Sequence, residues 1–216
     1  MRIFRDTQDY SVFLSYLKTY LLPKDEKEIL IKTLDANQSS KSRETLLKLA
    51  GLENFYGRIS LICYCLMPNH YHLLIHQKNR NDLTGFMRSL MTRYTQYFNK
   101  KHKRKGPLYE GRYKAVIIET DEQLWHLTRY IHRNPLGLLS NEISKIDIIR
   151  LLTSQPSSYP VFIKHIKQEW VSPNKVLDNF AISGKNSYQS FIEDFDSSLE
   201  ERTMRTVYKI ALDFEL

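Results

Sequence analysis

Two β-rich runs separated by three residues constrain this chain more than any other feature. Residues 58–66 read RISLICYCL and residues 70–77 read HYHLLIHQ, with Met67-Pro68-Asn69 between them. A connection that short joins strands only as an antiparallel hairpin. The first run is almost continuously apolar, which fits a central strand covered on both faces. Helices must supply the cover. The spacing of Tyr10, Phe13, Leu14, Leu17 and Leu21 predicts a helix over 7–22, capped by Asp6 or Thr7 and stopped by Pro23. Residues 24–50 read as two short charged helices around Asn37-Gln38-Ser39-Ser40, ended by Gly51. Asp82 is placed to cap a helix over about 83–99, residues 113–118 (YKAVII) read as a third strand, and Asp121 caps a helix over about 122–134, ended by Pro135 and Gly137. The remainder reads as short helices, with starts at Ser140, at Ser172-Pro173 and at Ser197 or Ser198. The expectation is an α+β fold with a helical C-terminal extension.

Charge enters because it is unevenly placed. The chain of 216 residues has a formal net charge of +8. Residues 51–140 hold 14 basic and 6 acidic side chains, so +8; residues 1–50 hold 9 and 7, so +2; residues 141–216 hold 9 and 11, so −2. The excess sits in the segment with the hairpin and the two following helices, which points to a polyanionic partner. No apolar run approaches the ~18 residues of a transmembrane helix. The first ten residues carry Arg5, Asp6 and Asp9 where a secretory signal needs an apolar stretch. Two cysteines only, Cys63 and Cys65, exclude a disulfide framework, consistent with a cytoplasmic protein.

The candidate chemistry lies in that basic segment. His70 and His72 are two apart on a strand, so their imidazoles share a face and could hold one divalent metal; equally, they could be ordinary strand histidines. Tyr130 and Asn134 are four apart on a helix and share a face, as possible oxygen donors or as a core aromatic and a helix terminator. Arg88 and Arg93, the loop Lys103-Arg104-Lys105, and Arg112 and Lys114 are candidate phosphate contacts, and Tyr109 a candidate stacking platform among Tyr94, Tyr97 and Tyr113. A zinc site on Cys63, Cys65, His70 and His72 is a further reading, opposed by the apolar surroundings of the cysteines.

The run Cys65-Leu66-Met67-Pro68-Asn69-His70-Tyr71-His72-Leu73-Leu74 resembles the HUH motif of single-tyrosine transposases, in the wording of the REP-associated branch. Gly106 to Tyr113 resembles that branch's basic block, Tyr130-Ile131-His132-Arg133-Asn134-Pro135 its tyrosine helix, and Ser157-Ser158-Tyr159 its C-terminal signature. The resemblance implies a ferredoxin-like or RRM-like antiparallel sheet with packed helices. It implies Mg²⁺ or Mn²⁺ held by His70, His72 and Asn134, and Tyr130 as the nucleophile. The implied activity is nicking and strand transfer on single-stranded or hairpin DNA through a 5′-phosphotyrosine link, by a monomer or homodimer with no membrane association. His132 points off the Tyr130–Asn134 face and receives no catalytic role; His126, one turn before Tyr130, is read as a packing residue, with help to Tyr130 as the alternative. Relative to the family, the first strand is missing and about 23–50 is a helical insertion. The expected division is a transposase-like unit at 1–139 and an extension at 140–216. A free phenol titrates near ~10, so a tyrosine nucleophile needs activation. The alternative expectation is a decayed relative that binds nucleic acid without cutting it.

Overall fold

The computed structural model describes residues 1–35, 37–138 and 144–212. The hairpin forms as expected. Strand β1 (Ile59–Met67) pairs antiparallel with β2 (His70–Gln77), with Met67 opposite His70 across the two-residue loop Pro68-Asn69. A bulge between Leu61 and Cys63 shifts the register, so Cys63 faces Leu74, Cys65 faces His72 and Met67 faces His70. β1 is buried at every position except Ser60. Cover on both faces is therefore what its apolar run encodes.

Helix α1 (Thr7–Leu21) starts at Asp6, whose carboxylate accepts from the Asp9 N–H, and helix α4 (Asp82–Lys101) packs beside it. The two cover the sheet face that carries Tyr71. Phe13 lies 5.1 Å from the Tyr71 ring and 5.1 Å from Tyr94, and Phe4 closes the aromatic cluster. Asp9, fully buried, accepts from the Arg5 N–H and from Tyr97, Lys101 and His102, tying α1 to the end of α4. Helices α2 (Glu26–Leu34) and α3 (Ser40–Ala50) pack mainly on each other and bury no residue fully.

Helix α5 (Asp121–Arg133) lies over the opposite face of the sheet. Asn134–Leu138 continues it as a 3₁₀ turn, because Pro135 cannot donate to an α-helical ladder. Beyond it come α6 (Lys145–Ser154), the short turns α7 (Tyr159–Phe162), α8 (Asn174–Leu177) and α9 (Tyr188–Glu193), and α10 (Ser197–Leu212). The starts read at Ser172-Pro173 and Ser197 match α8 and α10; Ser140 and the 139/140 boundary lie outside the described residues. The late segment also finishes the sheet. Leu66 donates to Pro156 O, Ser158 to Tyr64 O and Ser172 to Leu61 O, closing the outer edge of β1.

Three local expectations are corrected. Residues 113–118 form no strand, because β1 and β2 pair with each other and no described ladder reaches that segment; the antiparallel sheet of the described residues has two strands. Val116 and Ile117 are left exposed. Asp82 does not cap α4: its carboxylate accepts from Asn79 and Arg58, and Asn81 stands at the N-cap. The cap of α5 is Thr120 rather than Asp121, in a capping box with Gln123. No helix of the described residues is long and apolar enough to cross a membrane.

Candidate active site

The two-residue loop puts His70 at the first position of β2, and the strand period returns His72 to the same face. Their rings meet edge to face with centroids 4.9 Å apart. His70 is exposed, with Nδ1 2.9 Å from Asn69 Oδ1. His72 lies deeper, and its Nε2 is buried without a hydrogen-bond partner among the described residues. Burial, helped by the neighbouring His70, pulls its pKa down to about 4, so the ring is neutral at pH 7 with a lone pair to give. A buried, unpartnered imidazole nitrogen beside a second open imidazole fits a divalent cation.

Tyr130 arrives from the other side of this pair. α5 has turns that present Tyr130 toward the sheet, and its ring lies 5.6 Å from that of His72, at 78°. Asn134 follows one turn later, where the helix tightens; its N–H donates to Ile131 O, and no hydrogen bond joins its side chain to either histidine. The structure thus brings His70, His72 and Tyr130 together. It sets Asn134 at the end of the same helix, one turn beyond Tyr130.

The candidate phosphate contacts divide in two groups. Arg88, Lys103, Lys105, Arg112 and Lys114 are exposed. Arg93 instead lies 3.9 Å over the Tyr16 ring, and Arg104 bonds Asn99 and the Pro107 carbonyl. Tyr109 is half-buried with its ring 6.1 Å from that of Tyr71. Tyr94 is committed to the core, donating to Ile3 O. Among the described residues no three His, Cys, Asp or Glu side chains are grouped so as to hold a metal ion, and burial pushes the Cys65 thiol up to about 12, which opposes the zinc reading.

Sequence reasoning missed how α5 is held. His132 is fully buried, with Nδ1 2.7 Å from Tyr188 Oη and Nε2 2.8 Å from Ser158 Oγ. Burial lowers its pKa to about 3. Arg129, also fully buried, donates to the carbonyls of Phe191 and Asp194 and to Glu200, which Arg133 shares. His126 bonds Thr203 at 2.9 Å. The partners are 26 to 77 residues away in sequence, so no local pattern signals them.

A histidine pair on the hairpin thus faces a tyrosine within the chain's most basic segment, in a fold of the α+β class. Residues 12–134, more than half of the chain, match the family model described as "Transposase IS200 like". The chain belongs to that family of single-tyrosine transposases. No curated protein and no solved structure matches it.

Proposed function

We propose that this transposase nicks single-stranded DNA, at or beside a hairpin, and transfers the strand through a covalent link to Tyr130. The observation that carries this reading is the contact between Tyr130 and the His70–His72 pair, whose deeper ring has an unpartnered buried nitrogen. Tyr130 Oη would bond to the scissile phosphorus while the 3′ oxygen leaves, giving a 5′-phosphotyrosine and a free 3′-hydroxyl. That hydroxyl retains what is needed to reverse the step, so joining requires no nucleotide cofactor. His70 and His72, with Asn134 as the third donor, would hold Mg²⁺ or Mn²⁺. When bound, the ion supplies charge neutralisation and orientation at the phosphate. Exposed Arg112, Lys114, Lys103 and Lys105 would hold the backbone on either side. The wording of residues 65–74 and of Ser157-Ser158-Tyr159 supports the REP-associated branch.

The test is incubation of the full chain with labelled single-stranded hairpin DNAs and Mg²⁺ or Mn²⁺. The wild type should form a covalent adduct, and Tyr130→Phe should bind the same DNA without forming one. Salt-sensitive binding with no adduct on any substrate would instead support the non-cutting nucleic-acid-binding reading.

A further inference from the structure

The site's two halves sit on different elements. The histidines are on β2, and Tyr130 is on α5. β2 is registered to β1, where Tyr64 pairs with Leu73 and Cys65 with His72. The relation of Tyr130 to His72 therefore depends on how α5 is fixed to β1, and one hydroxyl hydrogen-bonds to both elements. Ser158 Oγ accepts from the Tyr64 N–H at 2.8 Å and lies 2.8 Å from His132 Nε2. The Ser158 N–H donates to Tyr64 O at 3.0 Å, so the serine is locked to β1 by its backbone as well. Although Ser158 stands at the N-cap of α7, its side chain makes no capping bond. The hydroxyl is committed to β1 and α5 instead.

His132 lies two residues after Tyr130 and two before Asn134, on the far side of the helix from the site. It is packed among the rings of Phe162, Tyr159 and Tyr188, where an apolar side chain would fill the same space. A buried imidazole with both nitrogens bonded adds direction to that packing, because hydrogen bonds fix the rotation of the helix where ring contacts allow it to slide. Side-chain tips lie about 5–6 Å from a helix axis, so a rotation of about 10° moves them about 1 Å. Misplacement of a reacting group by about 1 Å costs about 100-fold in rate.

We propose that Ser158 and His132 are positioning residues for the tyrosine step: the Tyr64–Ser158–His132 link, steadied by Tyr188, sets the rotation of α5 that points Tyr130 at the His70–His72 pair. The inference rests on the proposed function and deepens it. It assigns a role in the chemistry to a C-terminal serine that touches neither metal nor substrate.

The experiment is single-turnover adduct formation by the full chain on a hairpin single strand with Mn²⁺, recording rate constant, amplitude and DNA affinity separately. A purely structural role lowers the amplitude, which counts competent molecules, and leaves the rate constant of the survivors alone. Ser158→Ala should lower the rate constant about 10- to 100-fold at unchanged DNA affinity. Tyr188→Phe, which removes only the partner of His132 Nδ1, should lower it in the same direction and serves if Ser158→Ala does not fold. Leu17→Val, a core change in α1, should lower the melting temperature and leave the rate constant unchanged. A Ser158→Ala rate constant within about twofold of wild type overturns the proposal, as does an equal loss in Leu17→Val. A wild type that forms no adduct overturns the proposed function itself, and the positioning role with it.

Discussion

Buried polar residues carry the most testable consequences at the scale of single side chains. Asp9 is a fully buried carboxylate whose pKa is lowered: burial raises it, and hydrogen bonds from Lys101, the Arg5 backbone, His102 and Tyr97 outweigh that. Asp9→Ala would leave Lys101 and His102 facing a vacated interior, and should cost about 3 kcal/mol or more in urea unfolding. His132 behaves in the opposite sense. Its folded pKa of about 3 is below the ordinary value of 6.5 because it is buried. The unfolded chain therefore binds the extra proton first, and stability falls as pH drops from about 6.5 toward 3. The slope approaches about 1.4 kcal/mol per pH unit in that window, on top of any other group. His126, lowered mainly by burial, acts in the same direction. Urea titrations at pH 7 and pH 5 should separate; in His132→Phe the separation should shrink. The sequence showed that His132 points away from Tyr130, but not that it is the most constrained histidine of the described chain. Its partners, Ser158 and Tyr188, become neighbours only through tertiary packing.

At the scale of elements, the periodic segments were legible and the boundaries were decided by side-chain hydrogen bonds. The hairpin, α1, α4 and α5 follow from period and turn chemistry. Thr120 displaces Asp121 as the α5 cap because Gln123 reaches back to the Thr120 N–H, a pairing that a single-residue cap rule does not see. Thr120→Ala should destabilise the protein by about 1 kcal/mol by denaturant titration, while Asp121→Ala should cost only a few tenths. YKAVII has the composition of a strand, yet a strand requires a neighbouring ladder. Composition reports the capacity to pair; the fold decides whether a partner exists.

The whole molecule couples its C-terminal third to the site more tightly than the chain's charge pattern implied. Residues 141–216 are slightly acidic and hold no predicted site residue, yet they close the edge of β1 and provide, among the described residues, the hydrogen-bond partners of the buried Arg129 guanidinium. Removing them should expose that edge and uncover Arg129 together with the rest of its face of α5. A chain cut after residue 138 is expected to lose cooperative unfolding, as followed by circular dichroism. The basic excess of residues 51–140 has its own signature. Single-strand affinity should fall with salt by about 0.7 log units per log unit for each phosphate contact. Arg112→Ala and Lys114→Ala should each lower that slope by about 0.7. The most direct test of the central claim is mass-spectrometric mapping of the covalent adduct formed on single-stranded hairpin DNA with Mn²⁺. A nucleotide attached to the peptide containing Tyr130, and lost in Tyr130→Phe and His72→Ala, is the result the account predicts. Attachment to another residue, or cleavage that persists in Tyr130→Phe, would contradict it.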